Sequence, residues 1–108
     1  MSVRARDLTI PLVRFHWDPE KDRANQEKHG ISFLEAAKVF ERREACLDYF
    51  DAGHSDLEER FITLGPVATG IVVVVWTERD GDVIRLISAR RASPRERVLY
   101  VNEVLRQQ

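Results

Sequence analysis

The amino-acid sequence predicts an α+β fold: an antiparallel sheet built as a meander, with N-terminal helices on one face and a C-terminal helix. Three observations predict it. The hydrophobic patterns run strand, two helices, three strands, helix, and grouped strands beside grouped helices make an α+β arrangement rather than an alternating one. Ile71–Thr77 is an apolar, β-branched run, as a central strand covered on both sides would be. Arg79-Asp80-Gly81-Asp82 carries Asp-Gly, the strongest short hairpin signal, ahead of a further strand at Val83–Ala89. The helices are expected on one face, with the other left open.

Each element has its own cause. Residues 1–12 read as a loose arm, where Pro11 limits sheet pairing, and residues 13–108 as one domain. Val13–Trp17 sets Val13, Phe15 and Trp17 against Arg14 and His16, the alternation of a half-buried strand. Asp18-Pro19 then opens a helix, with aspartate as N-cap and proline at the first helical position. Gly30 ends it, after Lys28 and His29 in the last turn. Between Pro19 and His29 only Ala24 is apolar, so this helix needs exposure, a partner or a site to explain it. Ser32 and Glu35 form a capping box for the second helix, whose Phe33, Ala36, Ala37 and Phe40 share the core-facing stripe. Residues 45–58 are acidic and irregular, with a short strand at Ala45–Tyr49. Arg60–Leu64 alternates and stops at Gly65-Pro66. Ser93, Pro94 and Glu96 give the last helix an N-cap, an N1 proline and a capping box, and Val98, Val101 and Leu105 line its apolar face.

Composition bounds the function. A chain of 108 residues, 44% apolar and 32% charged, has room for one folded core. The longest apolar run, Ile71–Trp76, is far short of the ~20 residues of a membrane helix. The first twelve residues lack the apolar stretch of a signal peptide, and the single cysteine, Cys46, excludes an internal disulfide. A cytoplasmic setting, away from any membrane, follows as the expectation. Net charge is −1, which argues against a uniformly basic nucleic-acid binder, but the charge is segregated. Residues 85–108 carry +4 and residues 41–60 carry −4. Such segregation can build a local anion site on a near-neutral chain. The cations are 14 arginines to 3 lysines, and the planar guanidinium suits phosphate.

The familiar catalytic motifs are absent: there is no P-loop, no G-x-G-x-x-G, no His-Glu-x-x-His and no G-x-S-x-G. His16, His29 and His54 are too irregularly spaced for a metal site, so neither metal nor cofactor is expected. Arg90 and Arg91 stand where a strand runs into a helix start, a place that favours anions. Arg85 and Arg90 are five residues apart, so an unbroken strand puts them on opposite faces unless a bulge intervenes. They either hold a phosphate or pair with the acidic segment and hold the fold. Glu58-Glu59-Arg60 is either a solvated turn or a general base beside a cation, and His54 is a loop base candidate. The capping box accounts for Glu96 without chemistry. Lys21, Asn25 and Lys28 share one helix face, which either tracks a phosphate backbone or is simply wet.

Taken together, several motifs carry a resemblance. Phe15-His16-Trp17-Asp18, Lys21, Asn25, Lys28-His29-Gly30-Ile31-Ser32-Phe33, Glu35-Ala36 and Val39-Phe40 form the first half. Asp51 with His54-Ser55, Glu58-Glu59-Arg60-Phe61, Gly65, Ile84-Arg85, Ile87-Ser88-Ala89-Arg90, Ala92, Glu96 and Tyr100 form the second. Over roughly residues 15–100 this resembles the BrnT family, toxins of type II toxin–antitoxin pairs. The resemblance implies a RelE-like fold and a metal-independent endoribonuclease that cleaves RNA and arrests translation. It implies a cognate BrnA-like ribbon-helix-helix antitoxin in a two-plus-two complex, with DNA contacted only through the antitoxin. On that reading Arg60, Arg85 and Arg90 stabilise charge, Glu59 or Glu58 is the base, and His29 or His54 is the acid. Lys21, Asn25, Lys28 and Arg91 contact RNA. The alternative is a module that binds RNA or protein without cutting.

Overall fold

The computed structural model describes residues 14–54 and 57–107, so the expected arm at 1–12 and the strand position of Val13 lie outside the described residues. In chain order come β1 (Arg14–His16), α1 (Pro19–His29), α2 (Phe33–Ala37), β2 (Leu47–Phe50), β3 (Arg60–Val67), β4 (Gly70–Arg79), β5 (Val83–Arg91) and α3 (Pro94–Glu103). Short 3-10 segments occupy Lys38–Ala45, Ala52–His54 and Leu105–Gln107. The fold is α+β, with one sheet of five strands in the order β1-β5-β4-β3-β2.

The meander of β2 to β5 is antiparallel, but β1 runs parallel to β5, so the sheet is mixed rather than wholly antiparallel. All three residues of β1 are exposed, so the half-buried alternation expected there does not hold: so short a pattern fixes no buried side. It fixes neither the neighbour nor the direction. Asp80 and Gly81 both take positive φ, 55° and 79°, within the three-residue loop 80–82 that joins Arg79 to its partner Val83. β3 passes through Gly65 and Pro66 instead of stopping there. A Cβ on Gly65 would meet Cys46 Sγ and Val39 Cγ2 at 2.7 Å, so the glycine permits a close approach, not a break.

The two faces of the sheet are packed differently. Ile31, Phe33, Ala36, Ala37 and Val39 join Val72, Val74, Leu86 and Ala89 in one core cluster. Tyr100 and Val104 join Leu64, Val73 and Ala92 in another. Val73 lies between Val72 and Val74 on β4, so the clusters occupy opposite faces. The helices therefore do not share a face: α2 lies over one, α3 covers part of the other, and α1 sits against β5. The apolar stripe expected on α3 is also displaced, since Val98, Val101 and Leu105 are exposed. The neighbouring stripe wins because Tyr100 buries a large ring and satisfies its hydroxyl, which donates to the Ala45 carbonyl at 2.7 Å.

The polar helix α1 is docked by one amide. Asn25 is buried and its Nδ2 donates to the carbonyls of Ala89 and Ile31, at 2.8 and 3.0 Å. Its Oδ1 accepts from the Ala89 N–H at 3.1 Å. β1 pairs with β5 only as far as Arg85, so beyond it Asn25 stands in for a strand neighbour. Asp22 accepts from the Phe33 N–H at 2.9 Å and fixes the start of α2. Asp18 caps α1 as expected, and Gly30 closes it at φ 70°.

Candidate active site

The site is assembled by register across four strands. Arg60 on β3 is paired with Thr77 on β4, Thr77 with Arg85 on β5, and Arg85 with His16 on β1. Registered partners project from the same face, and for this row it is the face that bears α3. The row lies four residues along β4 from Val73, about 13 Å, past the α3 cluster. Arg60 and Arg85 are two strands apart, about 10 Å between backbones, with Thr77 between them.

A bulge decides which arginines share this face. Val75 pairs with Ser88 but Trp76 pairs with Leu86, so Ile87 has no partner opposite. The extra residue reverses the parity of β5. Arg85 and Arg90, five residues apart, thereby project from the same side. Arg14 and Arg79, both registered to Val83, lie there too.

These five arginines are not equivalent. Arg14 pairs with Asp82 at 3.2 Å. Arg60 and Arg79 share the Glu58 carboxylate, at 3.7 and 3.3 Å. Arg90 forks onto Glu96 at 2.8 and 2.9 Å, while Glu96 also completes the capping box with Ser93. The Arg90 guanidinium beside it holds the Glu96 carboxyl down at about 2. Arg85 alone of the five has no carboxylate partner among the described residues. It donates instead to His16 Nδ1. A guanidinium has only donors, so that nitrogen accepts and the ring proton sits on Nε2.

The remaining expected residues divide into two groups. His54, Glu58 and Arg60 line one cleft of about 460 Å³. The His54 Nδ1 lies 3.2 Å from the Asp51 carboxylate, which leaves Nε2 as the nitrogen able to exchange a proton. Glu59 is exposed, and its carbonyl accepts from the Thr77 hydroxyl at 2.6 Å. His29, Lys21 and Lys28 belong to α1, which docks on β5 through Asn25 and not through these side chains. Asn25 does not share a wet face with those lysines; its amide is spent on Ala89 and Ile31. Arg91 donates to Thr69 Oγ1 at 2.6 Å and, registered to Val72, is on the α2 side. Burial pushes the Cys46 thiol up to about 11, which disfavours the thiolate. His16 and Thr77 were not among the expected site residues. The signal for His16 was present in β1, where it alternates against Phe15 and Trp17. Thr77 carried no signal outside its register.

No group of three or more His, Cys, Asp and Glu side chains suited to a metal ion is found among the described residues. No helix among them is long and apolar enough to cross a membrane.

Comparison with known proteins places the chain in a family. No curated protein sequence matches the chain. The crystal structure of the Brucella abortus ribonuclease toxin BrnT is similar in fold, with a TM-score of 0.61 and 23% identity. That match covers 75% of this chain and 97% of the Brucella chain. The family model described as ribonuclease toxin, BrnT, of type II toxin–antitoxin system matches residues 17–96, which hold Arg60, Thr77, Arg85, Arg90 and Glu96. With most of its length matched in this way, the chain belongs to the BrnT family of ribonuclease toxins.

Proposed function

We propose that the chain is a metal-independent endoribonuclease with a RelE-like fold, and that the row Arg60–Thr77–Arg85–His16 receives the scissile phosphate. The observation that carries this reading is Arg85, a half-exposed cation without a carboxylate partner among the described residues, set in a row with Arg60 and His16 around the buried Thr77. Charge develops on the phosphorane oxygens in the transition state, and fixed guanidinium donors stabilise it there without reorganising. Glu58 is tethered between Arg60 and Arg79 and faces the same cleft as His54. Glu58 takes the proton of the attacking 2′-hydroxyl, and His54, oriented by Asp51, gives one to the leaving 5′-oxygen. Glu59 positions Thr77 through its carbonyl. Arg90, held by Glu96, borders the site and contributes charge at longer range. Lys21 and Lys28 on α1 and Arg91 on the α2 face meet RNA only where it passes beyond the arginine row, and His29 takes no part in the chemistry.

Cleavage of cytoplasmic RNA by this site arrests translation. A BrnA-like ribbon-helix-helix antitoxin neutralises it in a two-plus-two complex by covering the arginine row, and DNA is touched only through the antitoxin. The test is direct. Antitoxin-free protein incubated with labelled RNA in excess EDTA should still cut and leave 2′,3′-cyclic phosphate ends or their hydrolysis products. Activity lost to chelator and restored by Mg²⁺ would refute the mechanism. Binding without cutting, by protein shown to be folded, would favour a non-catalytic module.

A further inference from the structure

The α2 side of the sheet holds a separate cavity of about 250 Å³ that the phosphate chemistry does not use. Its walls are Phe15 from β1, Trp76 from β4, Ile84 from β5, and Phe40, Glu41 and Arg43 from the 3-10 segment. The rings are in contact. Phe15 and Phe40 have centroids 5.6 Å apart, and Phe40 meets Trp76 edge-on at 5.4 Å. Phe61 backs Trp76 at 4.9 Å. Ordinary core packing would bury such rings, yet Phe15 is 39% exposed.

The walls are fixed by a closed polar chain. Trp76 Nε1 donates to Thr63 Oγ1 at 2.7 Å, and Thr63 donates to Asp48 Oδ1 at 2.6 Å. Asp48 in turn takes both arms of the Arg43 fork, at 3.3 and 2.8 Å. Arg43 lies over the Phe40 ring, 5.3 Å from its centroid. The polar handles of these walls are thus used within the walls. What remains for a ligand is aromatic surface, a guanidinium plane and, from Glu41, an acceptor. That combination suits a flat heterocycle with N–H groups on its edge. The volume is below the ~300–1,000 Å³ of clefts that enclose whole small-molecule ligands.

The pocket is also joined to the arginine row. Phe15 lines it, and Phe15 with His16, Arg14 and Arg79 lines a second cleft of about 380 Å³. Phe15 and His16 are consecutive on an edge strand, so they project to opposite faces of the sheet. A strand of RNA crossing the β1 edge passes from one to the other.

We infer that this pocket takes one unstacked nucleobase of the RNA strand whose phosphate lies at Arg85 and His16. The inference rests on the ribonuclease reading and adds to it a base-holding site on the opposite face. The test uses the whole purified chain and a 2′-O-methyl RNA octamer, which has no 2′-hydroxyl and cannot be cut, beside the same octamer made abasic. The octamer with bases should quench tryptophan fluorescence, and the abasic one should not. Phe15→Leu, at an exposed edge position, should weaken binding of the base-bearing octamer about tenfold and leave the abasic octamer unaffected. Phe40→Leu should do the same, with thermal midpoints recorded for both variants. Equal losses on both octamers, or none on either, would overturn the inference. So would weaker antitoxin binding by these variants with RNA binding unchanged, which would assign the pocket to a protein side chain. If wild-type protein cuts no ordinary RNA, the ribonuclease reading fails alone, because this measurement needs no cleavage.

Discussion

At one end of β5, Arg90 is forked onto Glu96, which is itself tied to the start of α3. At the other end, Arg85 projects from the same face beside a histidine, with no carboxylate partner among the described residues. The residue type, the strand and the face are shared, and the surroundings are not. A guanidinium whose charge is met by a carboxylate gives up much of its attraction for a second anion. One whose charge is unmet keeps it. The comparison teaches that arginine content does not locate an anion site; the distribution of carboxylates around the arginines does.

The sharpest way to break the comparison is Arg85→Ala. If the unmet charge serves the transition state, cleavage should fall about 10²–10³-fold, the loss seen when one oxyanion donor is removed. Stability should move by no more than about 1 kcal/mol, since no ion pair is broken. RNA cleavage rates and urea denaturation of the same preparation check both halves. A parallel loss of stability and activity would make Arg85 a scaffold residue like Arg90.

The Arg90 end should instead be sensitive to the scaffold behind it. Asn25→Ala strips partners from the Ala89 N–H, the Ala89 carbonyl and the Ile31 carbonyl at once. Leaving buried backbone groups unsatisfied costs about 1–3 kcal/mol each before relaxation, so a net loss of about 3 kcal/mol is expected in chemical denaturation. A loss under about 0.5 kcal/mol, the size of an ordinary surface change, would show that water replaces the amide and that α1 is held by something else.

Much of this architecture was legible in the residues. Caps announce themselves locally, so Asp18, Gly30, Ser93 with Glu96, and the Asp80-Gly81 turn were readable one at a time. The core stripe of α2 followed from period alone. Long-range pairings were not legible in the same way. Nothing near Asn25 says that it completes the edge of a strand 64 residues later. The parallel pairing of β1 with β5 depends on where α1 docks, not on the pattern within β1. The bulge was foreseeable only as a condition: Arg85 and Arg90 could share a face if one residue were extra, and Ile87 is that residue. The site followed the same rule. Arg60 and Arg85 could be named from the family pattern, but the row they share with Thr77 and His16 exists only once the strands are in register.

Glu96 gives the smallest expected effect and the finest test of the same contrast. Its carboxyl titrates at about 2 in the fold, mainly because Arg90 donates to it, against an ordinary 4.5. A lowered folded value means that the carboxylate stabilises the fold above the ordinary value. That stabilisation drains away as pH falls from about 4.5 toward about 2. The pair is partly exposed, so screening trims its worth to about 1 kcal/mol. Glu96→Gln keeps the capping geometry but loses the charge, so at neutral pH it should cost about that amount. It should also remove the corresponding part of the acid-side slope in denaturation measured between pH 5 and pH 2. Cleavage at neutral pH should change by only a few-fold, and in one informative direction. Releasing Arg90 from its carboxylate adds an unmet charge to the face that already holds Arg85. If the comparison between the two ends of β5 is sound, RNA should then bind the variant somewhat more tightly, with a steeper dependence on salt. An unchanged salt slope would mean that Arg90 never reaches the RNA, and that only the Arg85 end of the strand belongs to the site.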